Sequence, residues 1–125
     1  MILLTLPWPP RTLSPNSRPH WSRLAKAKRL YRYACFIATK EAMAPRFDPV
    51  PDGPLLVELQ FCPPDHRSRD IDNMLASCKA ALDGVASALK VNDKHFRLAA
   101  QQMGAVVKDG AVYVRLSEAT PPSLA

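Results

Sequence analysis

The sequence predicts an α+β fold: a single domain with element order β-α-β-α-β-β, in which a small mixed sheet packs against two main helices. Three patterns point to it. Apolar residues recur at helical spacing over residues 71–89, alternate as in a half-buried strand over residues 112–116, and form a short run over residues 55–61 bounded by prolines. Of the 125 residues, 47% are hydrophobic and 22% charged, so one core can form and no second domain fits beside it. The domain is expected over residues 1–118, with the Pro- and Ser-containing residues 119–125 as a flexible tail.

The first six residues read as a strand, stopped by Pro7-Trp8-Pro9-Pro10, whose rings fix φ and remove backbone donors. Residues 11–21 are basic and turn-rich, with Pro15, Asn16, Ser17 and Pro19. From Ser22, a suitable N-cap, to about Ala44 the residues favour a helix, and Pro45 ends it. Leu30, Tyr33, Ala34, Ile37 and Ala38 can then face the core, with Lys28, Arg29 and Arg32 outward. Pro49–Pro54 is a connector to a strand over 55–61 that ends at Pro63-Pro64. Ile71, Met74, Leu75, Cys78, Leu82, Val85 and Leu89 fall on one stripe of a helix. A strand-helix-strand step over residues 55–107 favours a parallel crossover. Residues 96–107 and 111–117 flank Asp109-Gly110, a turn dipeptide, and are expected to form a C-terminal hairpin.

Charge is distributed unevenly. Residues 1–40 contain no Asp or Glu, while Arg11, Arg18, Arg23, Lys26, Lys28, Arg29, Arg32 and Lys40 give +8; the remainder is −2, for a net +6. A cationic end of this kind suits a polyanion, because Lys and Arg that neutralise phosphates release condensed counterions. A solvated basic helix would carry the same letters. Cys35, Cys62 and Cys78 show no CxxC or Cys/His spacing, so neither a disulfide framework nor a zinc site is indicated and a reducing, cytoplasmic setting is expected. The opening apolar run is too short for a signal segment, and no stretch approaches about 18 apolar residues, so no membrane association is expected.

Within this basic chain, Asp70 and Asp72 lie in Arg67-Ser68-Arg69-Asp70-Ile71-Asp72-Asn73, and Asp93 follows in Val91-Asn92-Asp93-Lys94. Carboxylates spaced Asp-x-Asp, with a third acid about twenty residues on, can hold a hard divalent cation against a phosphodiester. Arg67, Arg69 and Asn73 supply phosphate donors beside them. The alternative is helix capping, since carboxylates at a helix N-terminus satisfy free amides for about 0.3–1 kcal/mol each. An unbroken helix between Asp72 and Asp93 would separate the acids by more than about 25 Å, so their convergence requires an early break or a return along the neighbouring strand.

These residues, together with Leu6-Pro7-Trp8-Pro9-Pro10, Asn16, Pro64-Asp65, Lys79-Ala80-Ala81-Leu82-Asp83-Gly84 and Asn92-Asp93, resemble the RusA-type Holliday junction resolvases, small dimeric endodeoxyribonucleases common on phage and prophage genomes. The resemblance implies that Asp70, Asp72 and Asp93 hold magnesium, with manganese as a substitute. It also implies a homodimer that nicks opposing strands of a four-way DNA junction in recombination and repair, without a small-molecule substrate. Two departures stand out. Asn92-Asp93 occupies a place where the family often has Asp-Asp, and Ala76 stands where many members place a catalytic Lys, leaving Lys79 as the nearest replacement. Lys79 would stabilise charge developing on the phosphate; equally, it could pair with Asp83 at i, i+4, for about 0.2–0.5 kcal/mol.

On this reading Asn16, Arg18, Arg23, Lys26 and Arg29 contact DNA along with Arg67, Arg69 and Asn73, and phosphate contacts position the duplex without reading its sequence. Two-fold junction symmetry also argues for a dimer, because paired nicks need two sites. Trp8, Trp21, Tyr31 and Phe96 are aromatic residues that could stack on opened bases, although core packing is the commoner use. Alternatives are an inactive branched-DNA-binding module, a broader flap or structure-selective nuclease, and a basic structural protein.

Overall fold

Strand β1 (Ile2–Pro7) buries Ile2, Leu4 and Leu6 while the residues between them face solvent, the period-two pattern of a strand with one covered face. The computed structural model describes residues 1–46 and 49–119; the expected C-terminal tail, apart from Ala119, lies outside the described residues. After β1 come a short 3-10 turn (Arg11–Leu13), helix α1 (Trp21–Met43), strand β2 (Leu55–Cys62), helices α2 (Ile71–Ser77) and α3 (Lys79–Leu89), and a second 3-10 turn (Asp93–His95). Strands β3 (Phe96–Met103) and β4 (Ala111–Glu118) complete the chain. The fold is α+β in a single domain, as the sequence predicts, with three helices because the 71–89 helix breaks at Cys78.

The four strands form one mixed sheet in the order β1-β4-β2-β3. β4 lies antiparallel to both β1 and β2, and β3 runs parallel to β2, with Leu55 opposite Phe96 and Phe61 opposite Met103. The parallel step is the expected one. The C-terminal hairpin is not formed: β3 and β4 lie on opposite sides of β2. Alternation and a turn dipeptide show that two strands exist without naming their partners. Here the chain after β3 bonds across the end of β2, with the Gly104 N–H donating to the Phe61 carbonyl (2.8 Å) and Val107 N–H to that of Pro63 (3.0 Å).

The core fills the space between this sheet and the helices, with Val57, Phe61, Val85, Val112, Val114 and Leu116 almost fully excluded from water. Each such side chain contributes about 1.5–3 kcal/mol on transfer from solvent. The 71–89 stripe is largely as expected, with Met74, Cys78, Val85 and Leu89 buried.

Helix α1 departs from expectation in two respects. Its N-cap is His20, whose ring nitrogen accepts the Ser22 N–H at 3.2 Å, so Ser22 lies inside the helix. Its buried face is Tyr31, Cys35 and Thr39, with Leu24, Ala27, Ala38 and Ala42 beside it; Leu30 (56% exposed), Tyr33 (61%) and Ala34 point outward. The reason is the partner surface. The Tyr31 hydroxyl donates to the Pro7 carbonyl at 2.7 Å, and the Arg32 carbonyl meets Gly84, so α1 is turned to present its small residues to β1 and α3. Lys28, Arg29 and Arg32 are exposed, as expected.

Candidate nucleic-acid interface

Paired strands end together at Pro7, Ala111 and Cys62, and a cleft of about 680 Å³ opens at that edge of the sheet. One wall is Trp8-Pro9-Pro10 with Arg11, Ser14 and Asn16; the other is Arg67, Ser68, Arg69 and the start of α2. Proline fixes the first wall, and Gly110 lets β4 begin beside it. Gly110 adopts φ +72°, and a Cβ there would lie 2.8 Å from the Trp8 side chain.

The 65–69 loop braces itself. Arg69 donates to the carbonyls of Asp65 (3.2 Å) and Arg67 (3.1 Å), pairs with the Asp65 carboxylate at 2.8 Å, and lies over the Trp8 ring, 5.4 Å from its centroid. The Asp65 carboxyl is held below its ordinary range, first by the Arg67 backbone N–H (3.0 Å) and then by Arg69. Arg69, 18% exposed, is therefore part of the wall, whereas Arg67, 67% exposed, extends into solvent with only a loose 3.8 Å approach to Asp65. Of the two arginines expected to bind phosphate, Arg67 is the freer donor.

Asp70 is the N-cap of α2, its Oδ1 accepting the Asp72 N–H at 2.8 Å, which matches the capping alternative. Capping occupies one oxygen. Asp70 also lines the cleft with Asn73, Met74 and Ser77, the i, i+3, i+4 and i+7 positions of one helical face. Ser77 was not singled out from sequence, though that spacing from Asp70 points to it. Asp72, exposed in the first turn, is not on this wall. Lys79 is exposed beyond the break at Cys78, and among the described residues no ion pair joins it to Asp83.

Asp93 stands elsewhere. It begins the 3-10 turn whose cap is Asn92, the Asn92 side chain accepting the Lys94 N–H at 2.9 Å, and this turn feeds Phe96, the partner of Leu55 at the start of β2. Asp70 follows the end of β2, so the parallel pairing assigns Asp93 and Asp70 to opposite ends of the sheet. Among the described residues no three His, Cys, Asp or Glu side chains are grouped to hold a metal ion. The acids of one chain do not by themselves make the expected ligand set.

The cationic helix adjoins the cleft: Asn16 lines it, Arg18 follows, and α1 begins at Trp21. α1 itself carries Arg23, Lys26, Lys28, Arg29, Arg32 and Lys40 against the single acid Glu41, a balance of +5. Arg18, Arg23, Lys26 and Arg29 are exposed and, among the described residues, have no acidic partner; Asp65 pairs with Arg67 and Arg69, and Glu58 with Arg115. Trp21 is exposed, while Tyr31 is core.

No family model matches the chain. It is similar to an uncharacterized protein of Xylella fastidiosa (strain Temecula1), 44% identical over 97 residues, which cover 77% of this chain and 63% of that protein. The chain thus spans less than two thirds of that relative's length. No described helix is long and apolar enough to cross a membrane.

Proposed function

We propose that the chain is a divalent-metal-dependent endodeoxyribonuclease that resolves four-way DNA junctions by paired nicks, acting as a homodimer in the cytoplasm in recombination and repair. The observation that carries this reading is the joining of two unlike surfaces: a carboxylate-bearing cleft with guanidinium walls, and an exposed cationic helix entered within a few residues of it. The helix meets backbone phosphates, Arg67 and Asn73 orient the strand entering the cleft, and Trp8 and the braced Arg69 set the width of the cleft. Lys79, exposed at the start of α3, is the cation available to offset charge on the reacting phosphate. Magnesium, or manganese in its place, would supply Lewis-acid polarisation of the phosphodiester and a more acidic water. Asp70 and Asp72 are the acids of one chain nearest to such a role.

A second reading has its own support, because among the described residues of one chain no three acids are grouped: a module that binds branched DNA without cutting it. One experiment separates the two. Wild type, Asp72→Asn and Lys79→Ala are incubated with a labelled mobile four-way junction, a flap and a linear duplex, with magnesium or EDTA. The nuclease reading expects magnesium-dependent paired nicks on the junction, lost by at least about a hundredfold in Asp72→Asn and reduced in Lys79→Ala. Tight junction binding with no nicking supports the module, and wild-type rates in Asp72→Asn remove the metal role.

A further inference from the structure

We infer that the outer face of α1 is a ledge for single-stranded DNA, on which Tyr33 and Phe36 stack unpaired bases while Lys26, Arg29 and Lys40 take the phosphates between them. This deepens the reading of the chain as a DNA-processing protein and rests on it for the identity of the polymer. The ledge itself stands on the exposure, geometry and charge of one helix face.

α1 turns by about 100° per residue, so Lys26, Arg29, Leu30, Tyr33, Phe36 and Lys40 follow one another along one face, opposite the buried Tyr31, Cys35 and Thr39. Leu30 is 56% exposed and Tyr33 61%, and Phe36 and Ile37 beside them are half-buried. These four are neighbours at i, i+3 and i+4 and form one contiguous apolar strip. Such a strip, on a helix whose opposite face is already spent in the core, marks a surface for a partner.

The geometry suits a stacking platform. The Tyr33 and Phe36 rings lie 17° from parallel with their centroids 6.4 Å apart, and the Lys40 Nζ stands 5.7 Å from the centre of the Phe36 ring. Rings held nearly parallel give successive bases one stacking direction, and every base has a face to offer them. From Lys26 to Lys40 the helix rises about 21 Å, enough for roughly four to six nucleotides at about 3.4 Å or a little more apiece. The helix begins five residues after Asn16 of the cleft, with Trp21 75% exposed at its first position, so a strand leaving the cleft reaches α1 at that ring.

Charge selects the occupant. Lys26, Arg29 and Lys40 have no acidic partner among the described residues, and the acids that flank the face are Glu41, on the same helix, and Asp83, beside Gly84 at the α3 crossing. A second copy would set this positive face against its own like. A membrane-surface helix keeps its cations and its apolar side chains on opposite faces, whereas here the two alternate along one. A duplex offers phosphates to Lys26 and Arg29, but its bases are stacked on one another and closed to Tyr33. An unpaired strand presents phosphates and free base faces together.

The test uses the full chain in EDTA, which keeps nicking out of the measurement, and fluorescence anisotropy with three labelled probes of about 15 nucleotides: oligothymidylate, an abasic strand and a blunt duplex. At equal salt, wild type should bind oligothymidylate at least about tenfold more tightly than the abasic strand, which carries the phosphates without the bases. Tyr33→Ala should lose that preference with unchanged abasic and duplex binding and unchanged circular dichroism, and Tyr33→Phe should keep it. Equal binding of the thymidylate and abasic strands by wild type, or a preference that Tyr33→Ala leaves in place, overturns the ledge even where the chain nicks junctions in magnesium. A Tyr33-dependent preference in a chain that nicks no junction upholds the ledge and removes only the nuclease reading. Binding to phosphatidylserine vesicles that Tyr33→Ala abolishes, with no preference among the oligonucleotides, assigns the face to an anionic membrane and overturns the proposal. Tighter binding of oligouridylate than of oligothymidylate overturns DNA as the ligand.

Discussion

At the scale of single residues, the most perturbed groups lie in the core and not in the cleft. Tyr31 reaches the Pro7 carbonyl through a pocket it shares with Cys35 and Cys78, and burial pushes both thiols up to about 12 and raises the phenol as well. All three cysteines are free and buried, which fits residues that serve as small apolar fillers. The sign of the pH effect follows directly. In the unfolded chain these thiols ionise near pH 9, in the folded chain only near 12, so their contribution to stability is complete below about pH 9 and is lost as pH rises toward 12. The decline is at most about 1.4 kcal/mol per pH unit for each group. Thermal melts followed by circular dichroism should be flat from pH 7 to 8.5 and fall steeply from pH 9 to 11. Cys35→Ala should start lower, because it leaves a cavity, and fall less steeply; an unchanged slope would assign the alkaline loss to other groups.

At the scale of elements, the tightest joint is the crossing of α1 and α3 at Gly84. A Cβ on Gly84 would lie 2.3 Å from the Arg32 carbonyl oxygen and 3.1 Å from the Phe36 nitrogen, and both are backbone atoms that no rotamer change can move. Alanine is worth up to about 1 kcal/mol over glycine within a helix, but here the helices would have to separate, which costs about 1–3 kcal/mol in a packed core. Gly84→Ala should therefore lower the urea midpoint with an unchanged m-value, and a raised midpoint would mean that the crossing can relax. The Gly in Leu82-Asp83-Gly84 was visible in the sequence as a glycine inside a strong helical stripe, but its reason lies in a helix fifty residues earlier. The same distinction separates what sequence pattern could and could not give. Apolar runs stopped by proline located β1 and β2, and periodicity located the 71–89 stripe and β4, since burial imposes those periods locally. It could not choose the face of α1, where apolar side chains ring the helix and Tyr31 is selected by Pro7, nor deny the β3–β4 hairpin, which loses to the pairing of β4 with both β1 and β2. Asp70, Arg67, Arg69, Asn73 and Asn16 could be grouped from sequence as neighbours because one loop and one helical turn hold most of them, and all five line the cleft, while the place of Asp93 depends on a parallel register that spacing does not encode.

At the scale of the whole molecule, the unequal division of charge becomes a spatial one. The acid-free first forty residues supply one wall of the cleft and then the exposed cations of α1. If this surface meets phosphates, each neutralised contact releases counterions, and the logarithm of the binding constant falls with the logarithm of salt by about 0.9 per duplex phosphate engaged. The triple substitution Arg23→Gln, Lys26→Gln and Arg29→Gln removes three such contacts at most. It should reduce the magnitude of the salt slope for a four-way junction by about 2 to 3, and weaken binding equally for junctions of different base sequence, since phosphate contacts carry no sequence information. Stability should change little, because all three side chains are exposed and have no partner among the described residues. Fluorescence anisotropy titrations between 50 and 300 mM salt provide the measurement. A slope that stays at the wild-type value would make α1 a solvated basic helix and confine the DNA contacts to the cleft. A slope that drops while affinity changes for only one junction sequence would mean that these side chains reach base edges.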